Sequence, residues 1–198
     1  MSTGTGGAST ASFKLSEHTR VLAEEGGDVE PGSGQAGMLA RSGNIPVGYY
    51  KDPEKSALTF RILDGVRYSM PGDWATVEAD GTLRLLGRGS VCINTAGEKV
   101  FPEEVEEVLK EHASVHDAVV VGVADERWGE AVVAMVEPVA GADLDEAGLV
   151  GHVKAKLAGY KAPKRVLAVS TIGRAANGKV DYARLKAEAT DRLQAAGR

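Results

Sequence analysis

The sequence predicts an α+β protein: a β-rich first part, a short joint, and a small domain of helices on a small sheet. Two observations carry that reading. From Leu15 to Gly48, short β-like pieces are broken repeatedly by turn residues, notably Glu30-Pro31-Gly32-Ser33-Gly34 and Arg41-Ser42-Gly43-Asn44. Such punctuation favours a small antiparallel sheet or partial barrel over helices. After Arg88 the pattern changes to strand-like runs alternating with helical periodicity, which is the signature of helices on a sheet.

In chain order, Met1 to Ser12 is Gly, Ser, Thr and Ala without an apolar period, so residues 1–19 read as a flexible or loop segment. Asp52-Pro53 supplies an N-cap and a first-turn proline for a helix reaching about Thr59. Trp74 to Val77 and Thr82 to Leu86 are β-favouring runs joined through Asp80-Gly81, a two-residue hairpin signal. Val91 to Thr95 and the return through Val100 predict a second hairpin, turned by Ala96-Gly97. Pro102 opens a helix with Val105, Val108 and Leu109 on one face, and Glu103 and Glu104 suit its positive end. Ala118 to Val123 and Ala131 to Glu137 are apolar runs of strand length; Leu149, Val153 and Leu157 mark a helix from about Asp145. Arg165 to Val169 reads as a further strand, Gly173 to Gly178 as a loop, and a last helix buries Tyr182, Leu185 and Leu193.

Composition narrows the function classes. At 198 residues and 43% hydrophobic the chain can bury real cores. A net charge of -5 argues against a broad phosphate-binding surface, so no nucleic-acid partner is expected. The single cysteine, Cys92, lies in an apolar run and reads as a buried, inert thiol. The absence of a disulfide framework fits a reducing cytoplasm, and no run approaches the ~18 apolar residues of a membrane span. His112 and His116 have the spacing of a helical metal pair, but no third ligand is evident and no metal site is expected.

The candidate site begins at the hairpin. Asp73 stands at the mouth of one strand and Arg88 at the end of its partner. A carboxylate accepts two hydrogen bonds from a vicinal diol and a guanidinium forks onto a phosphate. Two readings stand on spacing alone: a weak surface ion pair, or a grip on a nucleotide. Lys179 likewise reads either as a surface lysine ahead of a helix or as a mobile cation on a flexible loop, Arg174-Ala175-Ala176-Asn177-Gly178. Tyr160-Lys161-Ala162-Pro163-Lys164-Arg165 is a basic cluster, read as a solvated loop or as a contact for phosphates.

Taken in order, Gly72-Asp73, Gly87-Arg88, Gly97-Glu98-Lys99-Val100-Phe101-Pro102-Glu103-Glu104-Val105-Glu106 and Asn177-Gly178-Lys179-Val180 resemble the C-terminal third of the adenylate-forming acyl-CoA synthetase superfamily, over about residues 20 to 190. Within it the likeness is to bacterial fatty-acyl-CoA synthetases. The resemblance implies that residues 20–87 are the last subdomain of a large AMP-binding N-terminal domain, 88–90 a hinge and 91–198 a mobile C-terminal domain. It implies ATP, Mg²⁺ and coenzyme A as cofactors, a fatty or other carboxylic acid as substrate, and a missing N-terminal part as partner. Such enzymes join a carboxylate to AMP and then pass the acyl group to the thiol. Lys179 takes the place of the catalytic lysine, Asp73 that of the ribose-binding aspartate, and Arg88 that of the arginine at the ribose and phosphate. Gly97, with Glu98 and Lys99, takes the place of the turn that meets the pantetheine arm, and Ser90 that of the pivot, where aspartate or lysine is usual. The family's phosphate loop is not matched by Ser2-Thr3-Gly4-Thr5-Gly6-Gly7, because no proline precedes the first lysine, Lys14. The resemblance therefore implies a piece of a ligase with little activity alone; a non-catalytic interaction module and an adenylation unit serving a carrier protein are the alternatives.

Overall fold

Alternate side chains of one long strand separate the two halves of a core. In the computed structural model, which describes residues 12–196, Val119, Val121 and Val123 face one buried cluster while Ala118 and Val120 face another. The period-two geometry of a strand sends neighbours to opposite faces, so an unbroken apolar run is what a strand covered on both sides requires.

Contacts divide the chain into two compact units between Ser90 and Val91. In the first, the strands are β1 (Ser12–Lys14), β2 (Thr19–Leu22), β3 (Gly37–Arg41), β4 (Phe60–Leu63), β5 (Val66–Ser69), β6 (Asp73–Val77) and β7 (Thr82–Arg88), with one helix, α1 (Pro53–Thr59). They form a seven-stranded sheet that runs β1-β7-β6-β3-β5-β4, with β2 also on β3. It does not close into a barrel. Asp52 caps α1 by accepting from the Lys55 N–H at 2.9 Å, as expected from Asp-Pro. The expected loop through residue 19 is corrected at β1, which pairs with β7 from Ser12↔Arg84 to Lys14↔Thr82; Ser2 to Gly7 lie outside the described residues. Each face of this sheet carries a small cluster, Val21, Val29, Ala75, Val77 and Leu83 on one and Ala40, Tyr68 and Met70 on the other.

The second unit has strands β8 (Ile93–Thr95), β9 (Glu98–Val100), β10 (Val115–Asp125), β11 (Gly129–Pro138) and β12 (Arg165–Ala168), with helices α2 (Pro102–Lys110), α3 (Glu146–Lys154) and α4 (Tyr182–Ala196). The sheet order is β10-β11-β8-β9, and β12 joins β11 in parallel. Val105 and Leu109 of α2 and Leu149 and Val153 of α3 cover one face. Leu185 and Ala189 of α4 cover the other. The helices thus lie on both faces rather than on one, because both sets of β10 and β11 side chains are apolar. Among the described residues no helix is long and apolar enough to cross a membrane.

Candidate functional site

Asp73 and Arg88 are brought together by a local irregularity. Along β6 and β7 the register runs Val77↔Leu83, Thr76↔Arg84, Ala75↔Leu85, then jumps to Trp74↔Gly87 and Asp73↔Arg88. Without the extra residue, Asp73 would face Gly87; the β-bulge puts Arg88 opposite it. Gly87 takes φ 129° there, a value that only glycine accommodates easily. Arg88 Nε lies 3.3 Å from Asp73 Oδ1, with the carboxylate side chain 33% and the guanidinium side chain 68% exposed. Both groups are therefore open to a ligand, and an ion pair this exposed is worth little by itself. The turn that closes the hairpin is longer than expected: Glu78 accepts from the Gly81 N–H and its own N–H binds the Thr82 carbonyl. Three residues, Ala79, Asp80 and Gly81, make the loop, with Gly81 at φ 78° as a three-residue hairpin demands.

Gly89, to which no role was given from the sequence, is fixed by packing. A Cβ placed on it would lie 2.4 Å from Trp74 Nε1, so the chain leaves Arg88 pressed against the buried indole. The next residue, Ser90, is exposed within a one-turn 3₁₀ helix, Gly89–Val91.

In the second unit, Thr95↔Glu98 closes the β8–β9 hairpin on Ala96 and Gly97, at φ 52° and 85°. Two successive left-handed residues define a type I′ turn. A Cβ on Gly97 would meet nothing within 4 Å, so the backbone angle, and not packing within this chain, asks for glycine there. Glu98 is exposed and Lys99 half-buried. Cys92 is half-buried rather than buried, and its burial pushes the thiol pKa up.

Lys179 is exposed at the end of a turn that is well tied. Its N–H donates to Asn177 Oδ1 at 3.1 Å, and its carbonyl accepts from the Ala175 N–H at 2.9 Å. Its ammonium has no hydrogen-bonding partner among the described residues. Asp181 then caps α4 through the Arg184 N–H at 3.0 Å. The loop that leads to Lys179 is a hydrogen-bonded turn in the structure. The basic cluster is also absorbed into the fold: Lys161 Nζ reaches both oxygens of the buried Glu104, at 2.9 and 2.8 Å, Lys164 lies over the Trp128 ring, and Arg165 pairs with Glu146.

Sequence reasoning passed over Glu106. It is 4% exposed, accepting from the Val120 N–H at 2.9 Å and from the Tyr182 hydroxyl at 3.1 Å. Burial, with Glu103 nearby, pushes its pKa up to about 7. Burial and Glu106 itself push the Tyr182 phenol up as well. Glu106 stands on the stripe formed by Pro102, Val105 and Leu109, and that position on the apolar face was the available signal. His112 Nδ1 lies 2.9 Å from Ser114 Oγ, and the His112 ring meets His152 edge-on. Among the described residues no group of three His, Cys, Asp or Glu side chains could hold a metal ion.

An α+β unit of this topology, with a Gly-Lys turn ahead of its last helix, defines a class once it is compared with known proteins. Residues 104–179 match the family described as the AMP-binding enzyme C-terminal domain, and the comparisons that follow extend the similarity beyond that segment. More particularly, the chain is 55% identical to the 3-oxocholest-4-en-26-oate–CoA ligase of Rhodococcus rhodochrous over 85% of this chain and 30% of the relative. It is 52% identical to the medium/long-chain-fatty-acid–CoA/3-oxocholest-4-en-26-oate–CoA ligase of Mycobacterium marinum, over 90% of this chain and 33% of the relative. Among solved structures, ATP-bound MatB from Rhodopseudomonas palustris matches with a TM-score of 0.74 and 32% identity, over 87% of this chain and 34% of that one. The chain spans about a third of the length of these curated relatives.

Proposed function

We propose that this chain is the C-terminal part of an ATP-dependent acyl-CoA ligase, which makes an acyl-adenylate and then the coenzyme A thioester. The observation that carries the reading is the Asp73–Arg88 pair, which a bulge sets opposite one another and leaves open to solvent. Asp73 accepts the ribose hydroxyls and Arg88 holds the ribose and phosphate region. Lys179 brings positive charge to the α-phosphate and the attacking carboxylate, where two anions must meet. The glycine turn Gly97-Glu98-Lys99 serves the thiol step, and Ser90 is the pivot; the division of contacts at Ser90 supports that assignment. ATP and coenzyme A, with Mg²⁺, are the cofactors, and the phosphate loop and acyl pocket belong to the portion of the relatives that this chain does not match. The names of the relatives point to medium- and long-chain fatty acids and steroid side-chain acids as the substrate class.

The test supplies ATP, Mg²⁺, coenzyme A and a panel of those acids to the chain alone and to the chain fused behind the N-terminal portion of the Rhodococcus relative. Release of AMP and thioester is expected from the fusion only, and Lys179→Ala is expected to remove adenylation from it. Robust turnover by the isolated chain would show that it is complete. An inert fusion that folds would leave a non-catalytic module.

A further inference from the structure

The turn that carries Lys179 is referenced to a strand 57 residues away in sequence. Arg174 donates from Nε to Asp117 Oδ2 at 2.6 Å and from Nη2 to Asp117 Oδ1 at 2.9 Å. Its remaining terminal nitrogen, Nη1, donates to the Gly178 carbonyl at 3.3 Å. That carbonyl belongs to the peptide unit that ends in the Lys179 nitrogen. One planar guanidinium therefore fixes the lysine's own peptide to β10. The carboxylate is itself oriented, since Asp117 Oδ1 also accepts from the Ala118 N–H at 2.8 Å. Burial works against ionisation of Asp117, but the Arg174 fork and the Ala118 N–H outweigh it and hold its pKa below the usual carboxylate range. The side chains are 34% and 17% exposed, so this pair is screened less than a surface pair.

We propose that Arg174, oriented by Asp117, is a positioning residue for the Lys179 ammonium. The inference rests on the adenylation role proposed for Lys179. The Lys179 side chain is a long, freely rotating stem, so the placement of its charge depends on where the turn holds its Cα. With the ammonium itself unpaired among the described residues, the backbone is what this chain contributes to aiming it. Displacing a reacting group by about 1 Å costs on the order of 10²-fold in rate. A lysine in place of Arg174 keeps the charge but not the fork.

The test uses the chain fused behind the N-terminal portion of the Rhodococcus relative. Adenylation is read by ATP–pyrophosphate exchange, and the thioester step separately, from preformed acyl-adenylate and coenzyme A. Arg174→Ala and Asp117→Asn are each expected to lower kcat for exchange by about 10-fold or more, with KM for ATP within about twofold and the thioester step unchanged. Arg174→Lys is expected to fall between wild type and Arg174→Ala. Arg174→Ala combined with Lys179→Ala is expected to be no slower than Lys179→Ala alone, because both act through one group. The proposal is overturned if Arg174→Ala leaves exchange unchanged while Lys179→Ala abolishes it. It is also overturned if Arg174→Ala slows both half-reactions alike, or if its loss adds to that of Lys179→Ala, since either marks a merely structural arginine. Thermal melting of each variant accompanies the rates, and an unfolded Arg174→Ala passes the same comparison to Arg174→Lys. If Lys179→Ala leaves exchange intact, the adenylation reading itself fails, and that outcome is visible without reference to Arg174.

Discussion

In the second unit, β10 and β11 send alternate side chains into two helical layers, and large residues such as Leu109, Met135, Leu149 and Leu185 become fully buried. In the first, the sheet holds only a thin cluster on each face, and Val47, Tyr50 and Ile62 remain 96%, 87% and 72% exposed. Both units are rich in strands; they differ in what covers them. A sheet face without a covering layer leaves apolar side chains in water and forfeits roughly 25 cal/mol for each Å² left unburied. The second unit is a domain with its own core, and the first is a sheet whose burial is incomplete.

The largest effect expected from that contrast is separation at the division between Ser90 and Val91. A chain of residues 91–198 should melt in one cooperative transition followed by circular dichroism, and a chain of residues 12–90 should show none. A cooperative transition of the shorter piece at a comparable temperature would remove the contrast.

How much of this could be read from the sequence depends on the distance between partners. The apolar run of β10 announced a strand, and Ala96-Gly97 announced the turn between β8 and β9, because strand and turn signals act between neighbours. Asp52-Pro53 placed the start of α1 for the same reason. The nearness of Asp73 and Arg88 was legible from the hairpin that joins them, but not the bulge that aligns them, whose one local trace is Gly87. The loop of that hairpin is a residue longer than Asp-Gly suggested, since Glu78 and Thr82 pair ahead of it. Arg174 with Asp117 and Lys161 with Glu104 were beyond reach, each 57 residues apart. Nothing in either local pattern names the partner. The Lys161 cluster consequently looked like a solvated or phosphate-binding loop, although its first ammonium lies on a buried carboxylate.

A smaller effect sharpens the comparison from within the well-covered unit. Glu106 keeps its proton in the folded state up to about pH 7, against an ordinary value of 4.5. The folded state therefore binds more protons than the unfolded state between those values, and stability falls as pH rises through that window. Above it the loss is complete, on the order of 3 kcal/mol from this group. Glu106→Gln keeps an oxygen for the Val120 N–H and the Tyr182 hydroxyl but carries no charge. Urea unfolding should show the variant more stable than wild type at about pH 8, with the difference vanishing near pH 5. An equal shift at both values would mean that packing, and not ionisation, sets the cost of the carboxylate.

The smallest effect lies on the uncovered sheet. Ile62 is on β4, at the register pair Ile62↔Arg67, and Val47 precedes α1. Replacing either with serine removes apolar surface that water already reaches, so the folded and unfolded states change almost equally. Each substitution should alter stability by no more than about 0.5 kcal/mol in this chain. The same change at Val100, which is fully buried in the cluster that holds Val105 and Leu109, removes packing and leaves a hydroxyl to be satisfied, and should cost several-fold more. In a fusion with the N-terminal portion of a relative, the comparison gains a second use. If Ile62→Ser or Val47→Ser then becomes costly while remaining neutral in the 198-residue chain, the added portion supplies the layer that the first sheet lacks. If both stay neutral, the exposed side chains face water there too, and the thinness of the first unit belongs to the fold itself.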